Sequence, residues 1–170
     1  MIYSAKSIAN EFLNLAQEKG EEINLMKLRS LVYYAHGWYV GMTGKRLINE
    51  EIKAGKFGIV INSLYQEFIK YGASPIEKKA AEKVIQFGGF TINEVGTPTD
   101  NEIKKFIKNV WNAYGKFTAI ALFDMTHAVG TPWDNTIKDS ETINCDIPFE
   151  LIKSHFEQAV ENLRNKKSIV

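Results

Sequence analysis

Between Asp100 and Gly115 the chain carries an apolar pattern with one good structural solution. Ile103, Phe106, Ile107, Val110, Trp111 and Tyr114 recur at i, i+3, i+4, i+7, i+8 and i+11, which places all six on one face of an α-helix. Asp100 is a suitable N-cap, Glu102 sits in the first turn where the helix dipole favours a carboxylate, and Gly115 stops the pattern. A helix of this length is marginal in water by itself, so its apolar face must be covered by other elements.

The rest of the chain supplies them. Ser4 caps a first helix, with Ile8, Phe12 and Leu15 on one face and Gly20 as its stop. A second helix starts at Asn24 and buries Leu28, Leu31, Val32, Ala35, Trp38 and Tyr39, with Lys27 and Arg29 off that stripe and Gly44 past its end. From Lys45 to Val60 short apolar pieces alternate with charges and glycines, which predicts short strands or extended loop. Asn62 or Ser63 caps a short helix carrying Leu64, Phe68 and Tyr65 inward, and Gly72 ends it. Ile76 to Gln86 reads as a helix packing Ala80, Ala81, Val84 and Ile85. Gly88-Gly89 breaks it, and Phe90 to Val95 reads as a strand. Thr118 caps a helix bearing Leu122, Phe123 and Met125, and Pro132 closes that region. Asp146 and Pro148 open a last helix, over about 147–166, with Ile152, Phe156, Ala159 and Leu163 inward. The expected fold is mainly α, one domain over residues 1–170 with about six helices and at most a small β element.

Composition narrows the function. The 21 basic and 20 acidic residues leave a net charge of +1, without the basic excess typical of a protein that reads nucleic acid phosphates. The first two helices have loosely the spacing of a helix-turn-helix, but the second is rich in Leu, Tyr and Trp rather than base-reading side chains. One cysteine, Cys145, excludes an internal disulfide and fits a reducing compartment. The N-terminus shows no export signal and no apolar run reaches membrane-spanning length, so the cytoplasm is the expected location.

Catalytic patterns are sparse. The three histidines, His36, His127 and His155, fall in no zinc-ligand spacing, and one thiol cannot build a thiolate site. There is no phosphate-binding glycine loop and no nucleophile elbow. His36 and His155 read as structural. His127 has Asp124 three residues upstream and Trp133 six downstream. It reads as a helix-ending residue whose imidazole bonds a loop carbonyl. The alternative is a small hydrolase or transferase using His127 with Asp124 or Cys145. No cofactor is expected.

Three blocks carry a family resemblance. The first is Ala9-Asn10-Glu11-Phe12-Leu13 with Leu25-Met26-Lys27-Leu28-Arg29-Ser30-Leu31-Val32-Tyr33-Tyr34-Ala35-His36-Gly37-Trp38-Tyr39. The second is Ile52-Lys53-Ala54-Gly55-Lys56-Phe57-Gly58-Ile59-Val60 running into Tyr65 and Tyr71-Gly72. The third runs from Tyr114-Gly115-Lys116-Phe117 to Thr126-His127 and Pro132-Trp133. Together, over roughly residues 5–135, they resemble the Panacea domain of the SocA-like antitoxin family, often found in phage-associated proteins. The family pattern has Gln-Lys where Arg29-Ser30 stands, Trp at Gly55 and Gly-Pro-Val at Gly58-Ile59-Val60. The resemblance implies a helical domain that binds and neutralises a cognate toxin encoded beside it. Lys56, Phe57, Tyr65, Thr126, His127 and Trp133 are then expected to cluster near one protein-binding surface. A DNA-binding autoregulator is a further alternative, resting on analogy with antitoxins that repress their own operons.

Overall fold

The computed structural model describes residues 1–140 and 143–167. Its helices are α1 (Ala5–Lys19), α2 (Leu25–Thr43), α3 (Asn62–Phe68), α4 (Asn101–Tyr114), α5 (Ala119–His127), α6 (Pro132–Asp139) and α7 (Phe149–Lys167). A single 3-10 turn, Ile69–Tyr71, extends α3. The strands are β1 (Lys53–Gly55), β2 (Gly58–Val60), β3 (Ala81–Gln86), β4 (Gly89–Glu94) and β5 (Cys145–Asp146). The fold is mainly α, with seven α-helices among the described residues rather than six.

The caps act as the sequence implies. The side chains of Ser4, Asn24, Asp100 and Thr118 accept hydrogen bonds from first-turn amides, and Gly20 and Gly44 end α1 and α2 in the left-handed conformation.

Helix α2 is the centre of the molecule and packs against α1, α3, α4, α5 and α7. It is apolar on nearly all sides, which only a helix surrounded by others can satisfy. Tyr33 and Tyr34 are buried, while Trp38 and Tyr39 are partly buried. The Tyr34 ring stacks on Tyr114 at 4.2 Å, and Trp38 Nε1 donates to the Tyr114 hydroxyl at 2.7 Å, which fastens α4 to α2. Further along the same face Gly41 lets α7 approach, since a Cβ there would lie 2.6 Å from the Phe156 carbonyl carbon and oxygen.

Two antiparallel sheets complete the fold among the described residues. One has the order β2-β1-β5, with Ala54 opposite Ile59 on one side and opposite Cys145 on the other. The second is the β3-β4 ribbon.

The structure corrects several expectations. Residues 81–86 are a strand, not part of a helix, and Ile85 is exposed where packing was expected. Phe87 and Gly88, the latter at positive φ, form the two-residue turn that pairs Gln86 with Gly89. Pro132 opens a helix instead of closing a region: Thr131 caps α6 and Pro132 occupies its first turn, where a missing N–H costs nothing. In α7, Val160 is buried beside Ile152 and Phe156, and Leu163 is half exposed. Tyr65 and Met125 face outward.

Candidate functional site

The candidate site is built around the turn between β1 and β2. Lys56 and Phe57 form its tip, and the Phe57 side chain is 72% exposed. The lysine ammonium stands 5.5 Å from the Phe57 ring centroid. A large aromatic side chain held out in water is unfavourable unless the surface has a use for it.

The backbone of this turn is gripped from two elements. Trp133, in α6, donates its indole N–H to the Gly55 carbonyl at 3.1 Å. Arg29, in α2, donates to the Phe57 carbonyl. At the far end of the turn Gly58 adopts φ +107°, a conformation that side-chain-bearing residues rarely accept. A Cβ on Gly58 would lie 2.9 Å from His127 Cε1 and 3.2 Å from both Arg29 Nη2 and Phe123 Cε2.

Beneath the turn the rings of α5 and α6 lie against one another. The His127 imidazole lies 3.8 Å from Phe123 at 24° and 3.9 Å from Trp133 at 50°, centroid to centroid. Its Nδ1 is 2.6 Å from the Phe123 carbonyl, so in the neutral ring Nδ1 carries the proton and Nε2 the lone pair. Nε2 is buried without a hydrogen-bond partner among the described residues. Burial pushes the His127 pKa down, the Phe123 carbonyl opposes this, Arg29 adds to it and Asp124 opposes it weakly. Thr126 is buried and bonds the Phe123 carbonyl at 2.8 Å. The Thr126 carbonyl accepts from the Thr131 hydroxyl at 2.9 Å, which joins α5 to α6.

The six residues expected at one site therefore take two kinds of place. Lys56, Phe57 and Tyr65 are exposed. Thr126 is buried, and His127 and Trp133 are half buried as the support of the turn. Tyr65, on α3, lies close enough to Arg29 for its phenol to act on the guanidinium electrostatically. Arg29 thus touches the turn and neighbours Tyr65. Sequence reasoning passed over Arg29, Gly58 and Phe123 as site residues. The signal for Arg29 was a cation on a helix otherwise given to Leu, Tyr and Trp.

The imidazole bonds a carbonyl of its own helix, not of a loop. His127 hydrogen-bonds Thr126 and the Phe123 carbonyl among the described residues, with neither Asp124 nor Cys145 taking part. Cys145 lies in β5 opposite Ala54, and Asp124 faces solvent. His36 is fully structural: its Nδ1 accepts from the Ile48 amide, and burial together with Arg46 lowers its pKa to about 4. Among the described residues no group of three or more His, Cys, Asp and Glu side chains is placed to hold a metal ion.

Fold and site together define a mainly helical protein that presents a buttressed turn. Comparison with known proteins gives this class a family. The model of the antitoxin SocA-like Panacea domain matches residues 25–134, a span that encloses every residue from Arg29 to Trp133 in the clasp. Antitoxin SocA of Caulobacter vibrioides is 34% identical over 130 residues, covering 76% of this chain and 68% of that protein. The chain belongs to the SocA-like antitoxin family. No solved structure matches it. No helix among the described residues is long and apolar enough to cross a membrane.

Proposed function

We propose that the chain is an antitoxin that neutralises a cognate toxin by direct contact, and that the β1–β2 turn is part of the contact surface. The observation that carries this reading is the exposed Phe57 on a turn whose backbone is anchored by Arg29 and Trp133. Binding surfaces favour aromatic anchors on pre-organised backbone, because little conformational freedom is lost on association. Lys56 and Tyr65 extend the same surface, and Thr126, His127 and Trp133 hold it in shape. The protein acts by contact and not by catalysis, in the cytoplasm, with a toxin protein as its partner.

The test is co-expression with the product of the neighbouring gene, followed by affinity measurement on the purified pair. Wild-type protein relieves growth arrest and binds. Phe57→Ala and Tyr65→Ala each weaken binding about tenfold or more, as anchor residues do, with unchanged thermal unfolding. If the wild type neither binds nor rescues, the antitoxin reading fails. If both variants bind like the wild type, the turn is not the contact.

A further inference from the structure

The β3-β4 ribbon has no role in the turn and no cover of its own. Its base is fixed firmly. The Asn10 side chain, fully buried, donates to the carbonyls of Ala80 and Val95 and accepts from the Ala80 amide at 2.7–3.0 Å. Lys6 donates to the Ala81 carbonyl and pairs with Glu67 at 2.8 Å. Beyond that base the two strands stand out from the protein. A two-stranded ribbon is marginal in water, and natural proteins avoid leaving one apolar on an open face.

This one is apolar on one face. The register sets Lys83 opposite Ile92 and Ile85 opposite Phe90, and strand alternation puts all four on the same side. Ile85 is 83% exposed, Ile92 71%, and Phe87 at the tip is fully exposed. The other face carries Glu82, Val84, Gln86, Thr91 and Asn93.

The charge beside the apolar face is net positive. A cleft of about 610 Å³ opens at its root, lined by Lys6, Lys70, Lys78, Lys79 and Lys83, with Glu67 and Glu82 as its acids. Lys6 is paired with Glu67, and Lys79 with Glu94. Among the described residues no carboxylate lies within ion-pair distance of Lys70, Lys78 or Lys83. Lys83 lies instead over the Phe90 ring, 3.9 Å from its centroid. In a chain whose net charge is +1, this is a local excess.

We propose that the open face of the β3-β4 ribbon and the lysine cleft at its root form a second docking surface, for an acidic protein segment. Its apolar side chains seat on Ile85, Phe90 and Ile92, and its carboxylates meet Lys70, Lys78 and Lys83. Charge decides the occupant. A second copy of this chain would bring the same lysines against one another, and like charges across an interface repel. A nucleic acid would satisfy the lysines and stack on Phe87 and Phe90 but leave Ile85 and Ile92 uncovered. An acidic segment with apolar side chains satisfies both.

The surface is tested with a defined probe on the full chain: a synthetic heptapeptide alternating Glu with Ile and Val, its counterpart with Lys for Glu, and an oligo-dT of similar length. Amide shifts are followed by NMR at low and at physiological salt. The expected result is binding of the acidic peptide alone, with shifts confined to Lys70 and residues 78–94. Lys78→Glu with Lys83→Glu is expected to weaken it about tenfold and to admit the Lys peptide. Ile85→Ser with Phe87→Ser, both exposed, abolishes it without changing thermal unfolding. Absence of binding by the acidic peptide, shifts elsewhere, equal binding of both peptides, or preference for the oligonucleotide each overturns the proposal. So does sedimentation showing a dimer that Phe87→Ser dissociates, which would assign the face to a second copy.

Discussion

Trp133 donates its indole N–H to the carbonyl of Gly55, 78 residues earlier in the chain, at 3.1 Å. The bond joins the first turn of α6 to the strand that leads into the exposed tip. Gly55 is buried and also pairs with Gly58 in the β1–β2 ladder, so losing the indole removes one of the two partners of its carbonyl. Trp133→Phe, which keeps most of the ring, is expected to cost about 1–2 kcal/mol in denaturant unfolding. Hydrogen exchange at Phe57 and Gly58 should accelerate well beyond any change in α1.

Gly58 has no room and no freedom for a side chain. A Cβ at φ +107° combines backbone strain with a 2.9 Å approach to His127. Gly58→Ala is expected to destabilise the protein by about 3 kcal/mol. Phe57→Ala, one residue earlier, removes an exposed ring and should change stability by less than about 0.5 kcal/mol. Equal losses at the two positions would contradict the division between support and surface.

Gly41 sets intrinsic preference against packing. Alanine gains about 1 kcal/mol over glycine inside a helix. At Gly41 the added Cβ would meet the Phe156 backbone at 2.6 Å, and a main chain cannot swing aside as a side-chain tip can. The overlap wins, so Gly41→Ala is expected to be net destabilising by about 2 kcal/mol. Hydrogen exchange in α7 should rise more than in α1.

Acid should weaken the fold through its histidines. The His36 pKa is lowered to about 4 against an ordinary 6.5, and His127 and His155 are also lowered by burial. The unfolded chain takes up these protons first, so stability is full above pH 6.5 and falls as pH drops toward 4. His36 alone accounts for about 3 kcal/mol of that fall. His127→Gln should make the stability–pH profile shallower below pH 6.5. An unchanged profile would mean that His127 titrates normally.

Much of the helical frame was legible in the chain. The caps at Ser4, Asn24, Asp100 and Thr118 and the stops at Gly20 and Gly44 act on amides and carbonyls within a turn of themselves, so neighbouring residues suffice to place them. The first strand of the ribbon was misread because Ala80, Ala81, Val84 and Ile85 also fit helical spacing, whereas the second was read as a strand. The glycine pair between β-branched runs was the better signal. Helix α6 was missed because proline was taken as a stop, although Thr131 before it is a cap.

At the site, the sequence marked Lys56, Phe57, Tyr65, Thr126, His127 and Trp133 but not which of them face water. Phe57 and Trp133 are both large aromatics, and composition treats them alike. One is exposed at the turn, and the other is half buried against His127. That difference depends on contacts across 70 residues or more. The sequence by itself determined the mainly helical character, because helix caps and apolar periodicity are local and additive along the chain. Tertiary structure alone decided the clasp of Arg29, His127 and Trp133 on one turn, and the ribbon held by Asn10. Each rests on hydrogen bonds and ring contacts between distant segments, whose partners exist only once the helices have packed.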